Sequence, residues 1–189
     1  MFELETPRLR LRPLATADVP ALADMLADPE VMRHSLHGVC DEAATRLFLD
    51  WCFDCYIQHR TGPLAMVSGE SDEFVGFCGV SPEQVKGTTE WNLGYRLARP
   101  YWGQGLATEA AVAALDHAFE ERRFDSIIVL VEPDHAASLR VAEKVGFSRF
   151  DTLSFNHQPV RLYRMRRSQW QHKCSASRAE AELPAILSK

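Results

Sequence analysis

One stretch constrains this chain more than any other. A strand-like run over Glu90–Ala98 ends in Arg99-Pro100-Tyr101-Trp102-Gly103-Gln104-Gly105. A helical pattern over Leu106–Arg122 starts at once, with Val112, Leu115 and Phe119 on one face. A chain that makes this passage must bring a strand end, a glycine turn and a helix N-terminus to one place. The first-turn N–H groups of a helix have no intrahelical acceptor, and the helix dipole adds partial positive charge there. Glycines allow that backbone to approach an anion closely. The stretch Gly103-Gln104-Gly105-Leu106-Ala107-Thr108 therefore reads as a cradle for a phosphate or pyrophosphate. Two better-known cradles fail on spacing. No Gly-Lys-Ser/Thr follows, as a P-loop requires. Thr108 stands where a dinucleotide fingerprint needs Gly or Ala, and the loop lies mid-chain rather than in an opening βαβ unit.

The rest of the chain reads as a single layered domain. Leu9–Arg12 alternates as a strand closed by Pro13, and a short helix follows over Asp18–Ala27, capped by Thr16 or Asp18. Asp41 is an N-cap for a helix to about His59 whose buried face is Ala44, Leu47, Phe48, Trp51, Cys52, Cys55 and Tyr56. Strands are expected at Pro63–Ser68, Phe74–Val80 and Glu90–Ala98, with Ser81–Thr89 as a loop. Ile127–Val131 is a β-branched run typical of a buried strand. Ala136–Val145 is a helix with Ser138, Val141, Ala142 and Val145 inward and Gly146 at its C-cap. Phe147–Phe155 and Val160–Arg166 form the last strands. This order predicts an α/β or α+β layer fold on a mixed sheet. After Ser168 the pattern fades, so 1–167 is expected to be the domain and 168–189 a loose tail.

Composition narrows the class. The net charge is 21 − 26 = −5, which argues against general nucleic-acid binding. No apolar run approaches the roughly 18 residues of a membrane span. Met1–Arg12 lacks a signal-peptide core, and five scattered cysteines read as free thiols, so a cytoplasmic protein is expected.

A second stretch, Val131-Glu132-Pro133-Asp134-His135-Ala136-Ala137-Ser138-Leu139-Arg140-Val141-Ala142-Glu143-Lys144-Val145-Gly146-Phe147, lies downstream of the glycine turn. With Leu4–Arg12, Leu93-Gly94-Tyr95-Arg96-Leu97 and Trp102-Gly103-Gln104-Gly105-Leu106-Ala107, it resembles the GNAT superfamily of acyl-CoA-dependent N-acetyltransferases. The likeness is to the branch that includes the ribosomal-protein N-terminal acetyltransferases, and it spans about Leu4 to Met165. It implies a mixed, mostly antiparallel seven-stranded sheet flanked by about four helices and splayed between the fourth and fifth strands. It implies acetyl-CoA as co-substrate, an amine acceptor, no metal, and a monomer or homodimer. Backbone N–H groups from Gln104 to Thr108 would hold the CoA pyrophosphate. The strand ending at Leu97 and Ala98 would pair with the pantetheine arm and polarise the thioester carbonyl. His135 is a further candidate to contact pantetheine or Ser138, and Arg140 to reach a CoA phosphate.

The proton work is less defined. An α-amino group, with a reference pKa near 7.7–8.0, asks little of a base. Glu90 and Asn92 share a strand face, and either is placed to position a water; His157 in the last hairpin is a second candidate. Ser138 is a polar residue on an apolar helix face near the helix N-terminus. Related enzymes carry a Tyr further along this helix to protonate the departing thiolate, and Val141–Gly146 has none, so Ser138 is the candidate for that role. Cys52, Cys55 and His59 share a helix face without a second cysteine pair and read as core rather than metal ligands. Two other readings stay open: a catalytically idle acyl-CoA-binding module, and a transferase for a larger acyl group such as succinyl.

Overall fold

The computed structural model describes residues 3–35 and 38–182. Its core element is an eight-stranded sheet: β1 (Leu4–Glu5), β2 (Leu9–Pro13), β3 (Pro63–Ser68), β4 (Phe74–Val85), β5 (Thr88–Leu97), β6 (Ser126–Val131), β7 (Phe150–Phe155) and β8 (Gln158–Arg166). The spatial order is β1-β2-β3-β4-β5-β6-β8-β7, antiparallel except between β5 and β6. Five helices cover it: α1 (Val19–Ala27), α2 (Glu42–His59), α3 (Leu106–Asp116), α4 (Ala136–Val145) and α5 (Arg167–Glu182).

β3 is apolar at both phases of its pleat and is buried on both faces. Leu64 and Met66 join the core under α3 and α4, while Ala65 and Val67 join the core under α1 and α2. The sheet thus separates two apolar layers. On one side Leu115, Phe119, Ala142 and Val145 pack; on the other Leu22, Met25, Leu49 and Cys52 do. α2 starts as expected, because the Asp41 carboxylate accepts from the Ala44 N–H at 2.8 Å. Its buried face is rotated from the expected one: Thr45 and Leu49 point inward, whereas Leu47 is 70% exposed. α1 differs in its cap. The Asp18 carboxylate accepts from the Ala15 N–H and from Arg12 instead of capping the helix.

The strand count rises from the expected seven to eight because Leu4–Glu5 folds back on β2 through a turn at Thr6–Arg8. Two paired residues leave no readable alternation. The expected loop Ser81–Thr89 is mostly strand. β4 and β5 run on to a two-residue turn at Lys86-Gly87, where both φ values are positive (50° and 79°), the geometry that matches the twist of a hairpin. The last hairpin turns the same way at Asn156-His157. Helical winding continues past α3 into a wider π turn, His117–Glu121, which keeps Ala118 and Phe119 buried.

The segment expected to be a loose tail begins as α5. Trp170 is 2% exposed, stacks obliquely on Phe119, and donates its indole N–H to Asp116 at 2.9 Å. One aromatic anchor on an otherwise polar helix explains why periodicity fades here in the sequence. The end of the expected tail, 183–189, lies outside the described residues.

Candidate active site

β5 and β6 share a single bridge, Asn92 to Ile128, and the sheet opens beyond it. A cavity of about 600 Å³ fills the opening between β5, the glycine turn, α4 and the segment after α1. Of the residues expected to hold acetyl-CoA, it brings together Leu97, Trp102, Gly103, Gly105, Leu106, Ala107, Thr108, His135 and Arg140, and it adds the proposed catalytic Ser138.

The glycine turn is built for close approach. Gly103 and Gly105 have φ of 74° and 80°, left-handed values that cost an L-residue about 1–2 kcal/mol. A Cβ at Gly103 would meet nothing within 4 Å, so the turn is open on its outer side. Gly105 is the N-cap of α3 and has no side chain to satisfy the first-turn N–H groups. Glu109 in that first turn would oppose a bound anion, but Arg8 neutralises it with Nε and Nη2 at 2.7 and 2.6 Å from Oε2. Thr6 Oγ1 and the Arg8 N–H donate to Oε1, and Arg8 Nη1 donates to the Gln104 carbonyl. The two motifs Thr6-Pro7-Arg8 and Ala107-Thr108-Glu109 are therefore one structural unit. About a hundred residues separate them in the sequence, so no local pattern joins them. Arg140 and Lys144, one helical turn apart on α4, add positive charge along the cavity.

The strand backbone divides in an unexpected way. The Ala98 N–H donates to the Val75 carbonyl, and Ala98 does not line the cavity. Alternation along β5 then turns the backbone of Tyr95 and Leu97 toward the opening. The Leu97 carbonyl accepts the Trp102 indole N–H at 2.8 Å, which pins the turn to the strand. Gln104 also faces away, its amide donating to the Pro100 carbonyl.

Ser138 is 8% exposed, and its Oγ lies 2.9 Å from the Tyr95 hydroxyl, which also sits 3.1 Å from the Ser138 carbonyl. Burial pushes the Tyr95 pKa up to about 12, so the hydroxyl keeps its proton at neutral pH. It donates to the Ser138 carbonyl, and its contact with Ser138 Oγ can run in either direction. Tyr95 was missed as a site residue, although it stands in the Leu93–Leu97 motif. Its neighbour Arg96 points to the opposite face of the sheet, toward Met32 after α1.

The expected bases lie elsewhere. Glu90 is outside the cavity and forms a two-pronged pair with Arg164 at 2.7 and 2.9 Å. The hydrogen bonds from Arg164 hold its carboxyl below the usual range, the wrong direction for a base at neutral pH. Asn92 pairs with Ile128 through its backbone and does not line the cavity, and its side-chain Oδ1 is buried without a hydrogen-bond partner among the described residues. His157 is exposed in the hairpin turn. Cys52 and Cys55 are buried, and burial raises both thiols, Cys55 to about 11, so they are inert core groups. His59 lies edge-on to Trp91. The cavity instead holds His34, whose Nδ1 lies 2.7 Å from Glu132 Oε2 and whose ring stacks on His135 at 3.9 Å and 12°. Burial, and then the neighbouring His34, lower the His135 pKa to about 4.

A sheet split beside a glycine-turned helix, with a hydroxyl pair facing the split, defines an acyl-transfer site, and the comparisons agree. Residues 8–148 match the family model for an acetyltransferase (GNAT) domain. The chain is 35% identical over 162 residues to the Bacillus subtilis protein YkkB, covering 85% of this chain and 94% of that one. Its fold superposes with a TM-score of 0.76 on an acetyltransferase from Agrobacterium tumefaciens, at 31% identity over 87% of this chain and 94% of that one. It also shares its fold, with a TM-score of 0.73 and 18% identity over 87% and 98% of the chains, with RimL, a ribosomal L7/L12 α-N-protein acetyltransferase solved in complex with coenzyme A. The chain belongs to the GNAT acetyltransferase family and is an N-acetyltransferase of that family.

Proposed function

We propose that the protein transfers an acetyl group directly from acetyl-CoA to a primary amine, either a protein α-amino group or an amine on a small molecule. The observation that carries this reading is the single cavity shared by the α3 N-terminus, the open side of β5 and the Ser138–Tyr95 pair. The first turn of α3 and the glycines before it would take the pyrophosphate, with Arg140 and Lys144 beside it. The open-side N–H groups of β5 would donate to the thioester oxygen as it gains charge. The amine nitrogen attacks the carbonyl carbon, the C–S bond breaks, and the thiolate takes a proton from Ser138, which Tyr95 supports. The name of RimL supports an α-amino acceptor, whose low reference pKa asks little of a base.

The test is CoA release from acetyl-CoA with a free-N-terminus peptide, spermidine and an aminoglycoside, set beside calorimetry. Ser138→Ala should lower kcat on the order of 10²-fold and leave the acetyl-CoA Kd within about twofold. Gly105→Val should abolish acetyl-CoA binding while the chain still folds by circular dichroism. Wild-type turnover by Ser138→Ala removes that residue from the mechanism, and tight binding by Gly105→Val removes the cradle. Binding without CoA release by the wild type would point to an idle acyl-CoA module, and release only from succinyl-CoA to a different acyl group.

A further inference from the structure

The geometry points to His34 as the general base that takes the acceptor amine's proton, with Glu132 as the residue that positions it. This rests on the acetyl-transfer reading above and assigns the one step which that reading leaves open.

His34 reaches the cavity from the segment after α1, while Glu132 directly follows β6. A carboxylate only accepts hydrogen bonds, so the 2.7 Å contact makes Nδ1 the donor. The neutral ring then carries its lone pair on Nε2, the tautomer a proton acceptor needs. Glu132 also stabilises the imidazolium formed when that lone pair takes a proton, the division of labour seen wherever a carboxylate orients a catalytic imidazole. The stack on His135 fixes the ring plane from the other side. His135 is the N-cap of α4, one helical turn before Ser138, so the proposed base and the proposed acid flank one turn of one helix. His135 itself stays neutral and does not compete for the proton.

Among the described residues, the charged groups around His34 come from the β6–α4 connection, from β5 and from its own segment. Glu132 and Asp134 approach from the β6–α4 connection, Asp134 at 4.0 Å and 82% exposed. Arg96 approaches from β5, and Glu30 and Arg33, paired with each other at 3.0 Å, belong to the same segment as His34. Of these, only Glu132 makes a hydrogen bond to the ring.

The step balances. As the amine nitrogen bonds to the thioester carbon, its proton passes to His34 Nε2. The C–S electron pair leaves with sulfur, which takes the Ser138 proton. Ser138 is reprotonated from His34 through water, and CoA leaves as the thiol.

Two measurements on the full chain test this. The first needs no acceptor. Long-range proton–nitrogen spectra of histidine-labelled protein at pH 8 should show His34 as the Nδ1–H tautomer, and Glu132→Ala should shift it toward Nε2–H. The second uses acetyl-CoA and an alanine-terminated peptide as probe. His34→Gln should lose on the order of 10²-fold in kcat near pH 7 and progressively less toward pH 9, because the amine then loses its own proton. Its acetyl-CoA Kd should stay within about twofold, and Glu132→Ala should show a smaller kcat loss with the same pH trend. An Nε2–H tautomer in the wild type, an undiminished kcat in His34→Gln, or a loss equal at all pH values overturns the assignment while acetyl transfer stands. So does a wild-type activity that a chelator removes and Zn²⁺ restores. Failure of the wild type to acetylate any amine overturns the transfer reading itself, and the base with it; that failure shows in the wild type, not in the variant.

Discussion

His135 shows how much one residue's surroundings decide. Its pKa is lowered to about 4 by burial and then by His34 beside it, against about 6.5 for an unfolded histidine. Between those values the unfolded chain binds more protons than the folded one, so His135 makes stability fall as pH drops from about 6.5 toward 4. Above pH 6.5 it costs nothing. His135→Gln should therefore flatten the fall in the urea midpoint between pH 6.5 and 4 and leave the midpoint's pH trend above 6.5 unchanged. An unaltered profile in that window would contradict the buried, neutral histidine. The sequence offers His135 as a contact for CoA, but its stacking partner lies about a hundred residues upstream, and no local pattern connects the two. Glu90 makes the complementary point. Its place on β5 was legible, whereas its capture by Arg164, 74 residues on, was not.

At the scale of elements, α4 spans Ala136–Val145 as read from its apolar spacing, and β3 spans Pro63–Ser68 as read from its continuous apolar run. Both carry strong periodic signals with clear stops. α5 carries almost none. Its buried anchor is Trp170, with Cys174 partly buried behind it, and Arg167 and Lys173 add polar contacts to Asp125 and Lys144. Trp170→Ala should cost about 3–5 kcal/mol, the usual range for a buried aromatic cut to Ala, and it also strands Asp116. Chemical denaturation should register that loss while the acetyl-CoA Kd stays put, because α5 packs against Phe119 and lies outside the cavity. A loss below about 1 kcal/mol would mean that α5 is not docked. The same scale explains the missed half of the β4–β5 hairpin. Pro82, Glu83 and Gln84 are poor strand formers, and cross-strand pairing with Glu90, Trp91 and Thr89 overrides them.

At the scale of the whole molecule, the opening between β5 and β6 is where the two halves of the sheet part. A ligand seated there touches β5, α3 and α4 together and binds only the folded chain. Acetyl-CoA at about 100 times its Kd should then stabilise the protein by about 2.7 kcal/mol, raising Tm by several degrees. Gly105→Val should lose this shift, and scanning calorimetry with and without ligand checks it. An equal shift in the variant would place the ligand elsewhere. No helix among the described residues is long and apolar enough to cross a membrane.

By itself, the sequence determined the layers of this protein, most element boundaries and the glycine turn, because each depends on residues within a few positions of one another. The tertiary structure alone decided which groups meet at the site. Tyr95 meets Ser138 across 43 residues, Glu109 meets Arg8 across 101, and His34 meets Glu132 across 98. Hydrogen bonds and desolvation act over a few ångströms in space, and only the folded sheet brings such distant residues within that range.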